Sequence, residues 1–167
     1  MKPLLLLVVC FLTMQVTQAQ LKTSTQNQCG TFVVDILEGK VNGITPKYNQ
    51  AQIKSALTCF TSVEPEDATS KCGGLISYKN QDVYFYTGRH YIEIRDKFKG
   101  KLSIPLMGAT RNSSVLFKLL GNPKMKDTNW DQYDTYYGLV ILYYNKLNKV
   151  NKIQFSTETS ATINLCQ

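Results

Sequence analysis

The chain has 167 residues, of which 43% are hydrophobic and 11% aromatic, and its formal net charge is +7. This length predicts one domain that buries enough surface to fold without a structural metal. The sequence has no internal repeat and no low-complexity tract, which excludes solenoid proteins and disordered linkers. The basic charge favours acidic partners, although lysines dispersed along the chain also serve solubility.

The N-terminal segment has the features of a secretory leader. Lys2 precedes an apolar run over residues 4–14, and the small residues Thr17 and Ala19 follow. This pattern predicts a signal peptide over residues 1–19 and a single secreted, mainly β domain over residues 20–167. The apolar run is shorter than the roughly 20 residues of a membrane-spanning helix, so no membrane span is expected. An extracellular location also argues against nucleic acid as a partner.

Removal of the leader leaves four cysteines: Cys29, Cys59, Cys72 and Cys166. An even number in an oxidising compartment predicts two disulfides, for which three connectivities exist. The spacing lacks the paired C-x2-C of zinc sites, which argues against a metal at the cysteines. Because Cys29 and Cys166 lie near the two ends of the domain, a bridge between them would close it. The second expected pair is Cys59 with Cys72.

Two segments near the start of the domain have opposite periodicities. Residues 31–37 (TFVVDIL) are rich in β-branched side chains, which predicts a strand. Further on, apolar residues at 53, 56, 57 and 60 follow helical spacing, with Asn49 before them as an N-cap and Pro65 beyond. The pattern predicts the one helix of the domain, over residues 50–60, with its apolar face packed on a sheet.

Beyond Cys72 the hydrophobic period becomes two, and short links carry turn residues. Strand-like runs cover residues 75–78, 83–87, 90–95, 102–106, 115–120, 138–145, 150–157 and 159–165. Several strands joined by tight turns predict an antiparallel meander. The expected fold class is mainly β, with a curved antiparallel sheet or half-barrel, one short helix and two disulfides.

The alternation within the strands predicts two unlike faces. In VYFYT, Val83 and Phe85 face one side while Tyr84 and Tyr86 face the other, and HYIEIR continues the pattern. A sheet with an aliphatic face and an aromatic-polar face can curl into a half-barrel that holds a ligand. The alternative is that the tyrosines are half-buried strand residues with no ligand.

An acidic stretch, KDTNWDQYDTYY, is the candidate metal site. Its oxygen-bearing side chains are Asp127, Asn129, Asp131 and Asp134. The first three match positions 1, 3 and 5 of an EF-hand loop, but Gln132 and Gly138 stand where that loop needs glycine and glutamate. Two interpretations stay open: a weak extracellular calcium site, with a dissociation constant of about 10⁻⁴ to 10⁻³ M, or a turn rich in turn-forming residues. No other cofactor is expected.

The sequence offers one glycosylation motif and little that is typical of an enzyme. Asn112 begins the sequon Asn-Ser-Ser in a predicted loop, where an N-linked glycan is expected. His90 is the only histidine and lies in a predicted strand without a nucleophile motif beside it. No H-E-x-x-H, P-loop, dinucleotide or G-x-S-x-G motif occurs. We therefore expect no catalytic residue and no enzymatic activity.

The stretch FKGKLSIPLMGATRNSSVLFKLLGNP, residues 98–123, resembles the ependymin-related secreted glycoproteins. The elements that carry this resemblance are Cys72, Ile104-Pro105, Ala109-Thr110, a strand over 115–119 and Leu120-Gly121. The resemblance implies a curved antiparallel sheet with a helix-covered hydrophobic pocket, N-glycosylation, calcium binding and a role in matrix, adhesion or tissue development. The calcium residues of the family do not map onto this chain.

These observations together predict a secreted, non-enzymatic extracellular binding protein. Its expected partner is an apolar small molecule or a component of the extracellular matrix or cell surface such as an anionic glycan, with calcium as a modulator. The alternative is a cationic surface-binding or antimicrobial protein that works through its lysines.

Overall fold

The structure is a computed structural model that describes residues 30–166. It contains eleven strands and two helices within that range. Eight strands form a large antiparallel sheet: β3 (Ser62–Glu64), β4 (Leu75–Tyr78), β5 (Val83–Tyr86), β6 (Tyr91–Arg95), β8 (Met125–Lys126), β9 (Trp130–Thr135), β10 (Gly138–Tyr144) and β11 (Val150–Ser156). A small second sheet contains β1 (Val33–Asp35), β2 (Lys40–Val41) and β7 (Lys101–Leu102). The predicted mainly β class is confirmed.

The large sheet consists of two meanders that meet in the middle. Its strand order is β3-β4-β5-β6-β11-β10-β9-β8, so each half runs between sequence neighbours and β6 pairs with β11 at the centre. Because β3 and β8 are edge strands that do not pair with each other, the sheet is open and not a closed barrel. In the small sheet β1 lies antiparallel to β2 and parallel to β7.

The hydrophobic core lies on one face of the large sheet. A row of apolar side chains crosses the strands there, in the register Ile76, Phe85, Ile92, Phe155 and Val140. All five are at most 1% exposed. The predicted alternation in β5 and β6 is confirmed, because the odd and even residues of each strand face opposite sides. The small sheet and both helices cover this face. They do not cover the opposite face of the large sheet, which is called the polar face below.

The first helix, α1 (Gln50–Ala56), begins where the sequence predicts. Asn49 accepts a hydrogen bond from the Gln52 amide, and the Gln52 side chain accepts one from the Asn49 amide, which forms a capping box. The helix ends at Ala56 and not at residue 60, because Leu57 adopts an extended conformation. Ile53 is its fully buried residue and anchors it in the core.

The expectation of a single helix is wrong. Residues 115–120, predicted as a strand, belong to the second helix, α2 (Ser114–Leu120). Ser113 caps it by accepting a hydrogen bond from the Leu116 amide, and Gly121 ends it with a φ of 73°. The run VLFKLL carries no alternation of polar and apolar residues, so the two caps decide its conformation.

Other strand predictions are partly wrong. Of residues 102–106 only Leu102 is in a strand, and residues 159–165 form turns and irregular structure. The short strands β2, β3 and β8 and the longer β9 were not predicted. β9 contains half of the acidic stretch that the sequence places in a loop, and its pairing with β10 over six residues accounts for the difference.

The predicted disulfide pairings are also corrected. Cys72 pairs with Cys166, and their Cα atoms lie 5.3 Å apart. Cys59 does not bond Cys72 because the two lie on opposite sides of the large sheet: Cys59 packs against the core, whereas Cys72 packs with tyrosines of the polar face. A bridge from Cys29 to Cys166 is excluded by the same bond. Cys29 lies outside the described residues, as does the predicted signal peptide, so a second disulfide stays a prediction.

No helix within residues 30–166 has the length and apolar character needed to cross a bilayer.

Candidate functional site

The polar face of the large sheet carries a continuous row of side chains. Tyr84 stands opposite Glu93, Glu93 opposite Gln154, Gln154 opposite Ile141, and Ile141 opposite Gln132. Each of the five is at most 9% exposed. Because residues directly opposite one another in a sheet have close Cβ atoms, the row brings side chains from five strands together, and four of them are polar.

The carboxylate of Glu93, the second residue of this row, has a polar or charged partner at each oxygen. Arg95 donates from Nε to Oε1, and Gln154 donates from Nε2 to Oε2 at 2.6 Å. Lys152 Nζ lies 3.7 Å from the same Oε2. The Arg95 guanidinium in turn stacks 3.9 Å above the ring of Tyr84. A buried carboxylate with these partners is a fixed structural element and not a free acid.

Tyr143 extends the network toward one end of the sheet. Its hydroxyl donates to Gln154 Oε1 at 2.7 Å, and Lys152 Nζ lies 3.8 Å from its ring centroid. Burial, and then the nearby charge of Glu93, raises the pKa of Tyr143 to about 12, so the hydroxyl stays a donor at neutral pH. The side-chain amide of Gln154 therefore accepts a hydrogen bond from Tyr143 through its oxygen and donates one to Glu93 through its nitrogen.

Gln132 is the exception in the row. The residue is 3% exposed, and its Nε2 has no hydrogen-bond partner among the described residues. Buried amide donors nearly always have a partner, because an unmade hydrogen bond costs about 1–3 kcal/mol. Gln132 lines a pocket, but its Nε2 is itself buried, so a molecule bound there reaches this donor only if the amide turns toward the pocket.

The pocket has a volume of about 930 Å³ and lies between the β8–β11 end of the sheet and the C-terminal segment, residues 160–166. The sheet contributes six central side chains: Trp130, Gln132, Ile141, Tyr143, Lys152 and Gln154. Trp130 and Tyr143 stand directly opposite each other on β9 and β10. The C-terminal segment contributes Ile163 and Leu165 as apolar surfaces and Asn164 as a polar one. The lining thus combines aromatic rings, amides and a cation.

Three kinds of contact hold the C-terminal segment over the sheet: a disulfide, a hydrogen bond to Tyr91 and hydrogen bonds from Arg89. The Cys72–Cys166 disulfide fixes its end, and the Cys166 amide donates to the Tyr91 hydroxyl at 3.1 Å. Arg89 donates from Nε to the Cys72 carbonyl at 3.0 Å and from Nη1 to the Asn164 carbonyl at 3.2 Å. The segment without regular secondary structure is therefore anchored at several points, which keeps the pocket formed without a ligand.

Close backbone packing places Arg89 where it can hold the C-terminal segment. It ends the 3-10 turn Thr87–Arg89, in which Gly88 lies against Gly73. A Cβ atom on Gly88 would overlap the Gly73 carbonyl, so only glycine allows the turn to approach the loop that carries Cys72.

The pocket has a positive electrostatic character. Lys71, Arg89 and Lys152 line it, and no aspartate or glutamate is among its described lining residues. The donors of Arg89 go to neutral carbonyl and amide oxygens, which leave its charge uncompensated. Glu93, which lies beside the pocket, is shared between Arg95 and Lys152. The balance of charge attracts an anion.

The predicted calcium ligands do not converge. Asp131 is 1% exposed and lies on the core side, where Arg111 donates to both of its carboxylate oxygens. Asp134, three residues along β9, faces the opposite side of the strand. Asp127 and Asn129 are exposed and precede the strand. No group of three or more His, Cys, Asp or Glu side chains within residues 30–166 is arranged to hold a metal ion.

The other predicted site residues lie apart from the pocket or at its margin. Asn112 is exposed in the turn before α2, a position accessible to glycosylation, which stays a prediction. His90 is exposed with a φ of 51°, just before β6 and not within a strand, and its Nδ1 lies 3.0 Å from Glu158 Oε1. Cys166 borders the pocket through its disulfide.

Sequence reasoning missed Gln132, Tyr143, Lys152 and Gln154 as pocket residues. The alternation in β5 and β6 did predict a polar face. For β9 the dense Asp and Asn content suggested a loop, which hid the alternation of Trp130, Gln132 and Asp134 along a strand. The pairing of β6 with β11 joins residues that are 57 to 65 positions apart in the sequence, and no local pattern shows it.

Comparison of the chain with models of known families, with curated proteins and with solved structures found no match.

Proposed function

We propose that this chain is a secreted, non-enzymatic extracellular binding protein, and that the pocket on the polar face is its binding site. The secretory leader predicted over residues 1–19, the expected glycan at Asn112 and the resemblance to ependymin-related glycoproteins support an extracellular matrix or cell-surface role, with a part in tissue development or adhesion. The Cys72–Cys166 disulfide is consistent with an oxidising compartment.

The observation that carries this proposal is the unpartnered Nε2 of Gln132. Its neighbours on the polar face are satisfied: Gln154 contacts Tyr143 and Glu93, and Glu93 contacts Arg95. A buried donor without a partner beside a preformed pocket supports a binding site, because an acceptor on a ligand satisfies the donor once the amide turns toward the pocket.

The lining favours binding over chemistry. Amides, aromatic rings and lysines recognise ligands, whereas hydrolysis or group transfer calls for a nucleophile or an acid-base pair in reach of the ligand. His90 pairs with Glu158 in a neighbouring depression, together with Thr162. Glu158 also accepts a hydrogen bond from the Thr162 hydroxyl, and this contact, followed by the one to His90, lowers the pKa of Glu158. His90 is exposed and Glu158 is half-buried, and neither belongs to the pocket lining.

Trp130 provides the experiment, because it is the only tryptophan of the chain and lines the pocket. The secreted protein is titrated with sodium oleate, a neutral oligosaccharide and a heparin-derived oligosaccharide while tryptophan emission is recorded. We expect saturable changes in emission with at least one probe. The titrations are repeated with added calcium and with a chelator, to show whether the metal changes the affinity for the probe.

A blocking variant provides the control. Ser160 is exposed at the pocket margin, so Ser160→Phe should fill the entrance without disturbing the core and should abolish the change in emission. Ser55→Phe places the same ring on the exposed side of α1 and should bind like the parent protein. Two results would contradict the pocket as the binding site and favour the lysine surface. One is binding that persists in Ser160→Phe. The other is binding that causes no change in tryptophan emission and disappears at about 1 M salt.

A further inference from the structure

We propose that the ligand of the pocket is an acidic saccharide, whose ring stacks on Trp130 or Tyr143, whose oxygen accepts from Gln132, and whose anionic group lies near Lys71 and Lys152. This inference rests on the proposed function and names the chemistry of the molecule that the pocket takes. Four features of the lining support it.

The first feature is the open donor of Gln132. Nε2 is already buried without an acceptor in the free protein, and a hydrocarbon tail in the pocket would leave it without one. The hydroxyl and ring oxygens of a saccharide accept hydrogen bonds, so a saccharide completes the network that the protein leaves open. The same amide thus selects against the apolar small molecule that the sequence suggested as one of two partners.

The second feature is the aromatic pair. Trp130 and Tyr143 are opposite each other on neighbouring strands, and both are half-buried in the pocket lining. One face of a sugar ring presents C–H groups with slight positive charge, and the face of an aromatic ring is negative. Rigid aromatic side chains on paired strands offer such a platform with little loss of entropy on binding.

The third feature is the number of amides. Asn129 and Asn164 line the pocket together with Gln132 and Gln154. An amide both donates and accepts, as a sugar hydroxyl does, so the two kinds of group match one another. Pockets that take apolar ligands are lined mainly by hydrophobic side chains, with a few polar groups for orientation. The lining here departs from that composition toward the polar side.

The fourth feature is the charge. Arg89 remains uncompensated because its donors meet neutral oxygens, and the exposed Lys71 adds a second positive charge. Lys152 is held between Glu93 and the ring of Tyr143, and its partial exposure leaves the ammonium accessible from the pocket. A sulfate or carboxylate group on the sugar can pair with these cations, and no acidic residue among the described lining residues repels it.

The test uses a heparin-derived hexasaccharide and the same hexasaccharide after chemical desulfation, with sodium oleate as the apolar probe. Binding is measured by tryptophan emission and by titration calorimetry. We expect the sulfated form to bind at least tenfold more tightly than the desulfated form and oleate not to bind. Oleate binding in the pocket without hexasaccharide binding would overturn this inference and leave the proposed function standing, whereas no response to any of the three would count against both.

Variants locate the site. Gln132→Leu keeps the volume of the side chain and should weaken both hexasaccharides about fivefold to tenfold, since it removes one hydrogen bond. Lys71→Gln should weaken the sulfated form alone. The matched control is Lys118→Gln, which removes an equally exposed lysine from α2, away from the lining. Equal losses in Lys71→Gln and Lys118→Gln would show unspecific attraction to the basic surface and overturn the inference.

A further readout separates a binding role of Gln132 from a structural one. If Gln132 serves only to pack the sheet, Gln132→Leu should change the free energy of unfolding and leave both affinities as they are. The urea midpoint of the free variant and its hexasaccharide affinity are therefore measured on the same preparation. A lower affinity with an unchanged or higher midpoint is the expected result, because leucine removes an unpaired buried donor.

Discussion

Arg111 donates hydrogen bonds to both carboxylate oxygens of Asp131, at 3.1 Å from Nε to Oδ2 and 2.6 Å from Nη2 to Oδ1. The same guanidinium donates to the backbone carbonyls of Asp127, Thr128 and Trp130. It therefore gathers the oxygen atoms of this segment around one positive charge, as a metal ion does in a loop of similar sequence. The contact raises the pKa of Arg111 and keeps its charge in place.

Removal of the charge on Asp131 should be strongly destabilising. Asp131→Asn leaves the guanidinium partly buried without its anion, and we expect the free energy of unfolding to fall by about 3–5 kcal/mol. Urea denaturation measures it. Glu38→Gln breaks an exposed ion pair with Lys40, whose atoms lie 3.3 Å apart, and should have a much smaller effect. Similar losses in the two variants would contradict the structural role of Asp131.

The calcium prediction has a direct thermal test. Arg111 occupies both oxygens of Asp131, and Asp134 lies on the other side of the strand. We therefore expect the same melting temperature with millimolar calcium and with chelator. A calcium-dependent rise in melting temperature that Asp134→Asn removes would show that the acidic stretch binds the ion after all.

The disulfides can be read from a peptide map made without reduction. It should contain Cys72 linked to Cys166, and, if the sequence prediction of two bridges is right, Cys29 linked to Cys59. Replacement of both Cys72 and Cys166 by serine should lower the free energy of unfolding by about 2–4 kcal/mol, since the bridge closes a loop across most of the domain. A Cys59–Cys72 peptide would contradict the structure.

The turn before α2 separates capping from glycosylation. Ser113 caps the helix, whereas Ser114 completes the sequon that begins at Asn112. Ser113→Ala should lower the free energy of unfolding by about 1 kcal/mol and leave the sequon intact. Ser114→Ala should remove the glycan, as a shift on a denaturing gel, and preserve the cap. Loss of the glycan in Ser113→Ala alone would contradict this division.

Buried tyrosines should make the protein sensitive to alkali. Burial raises the pKa of Tyr91 and of Tyr144 well above 10, and contacts with the Tyr133 hydroxyl and with Asp131 add to the effect at Tyr144. Above a pH of about 10 the unfolded chain releases these protons while the folded chain retains them. Stability should therefore be complete below pH 10 and fall as the pH rises further, by about 1.4 kcal/mol per pH unit for each such tyrosine.

Urea unfolding between about pH 8 and pH 11, with absorbance at 295 nm to follow tyrosinate, checks this prediction. Tyrosinate should appear together with the loss of structure. If most of the ten tyrosines titrate near pH 10 in a chain that is still folded, their hydroxyls are accessible, which would contradict the burial of Tyr91 and Tyr144.

Local signals in the sequence predicted several elements well. Asn49 and Gln52 form the capping box that starts α1, and the strands β4, β5, β6, β10 and β11 lie within the predicted ranges. In both failed strand predictions, contacts at the ends of the segment override its composition. Residues 115–120 and 159–165 have strand-like composition, but caps decide the first segment and the anchoring of the C-terminal segment decides the second.

The sequence by itself determined the mainly β class, the two unlike faces of β5 and β6, and the start of α1, because hydrophobic period and capping act between residues close in the chain. The tertiary structure alone decided the pairing of Cys72 with Cys166, the use of Asp131 by Arg111 and the assembly of the pocket around Gln132. Each of these three features joins residues that are far apart in the sequence. They become neighbours only when the two meanders pair through β6 and β11, or when the C-terminal segment folds back over the sheet. Such contacts depend on the packing of the whole domain.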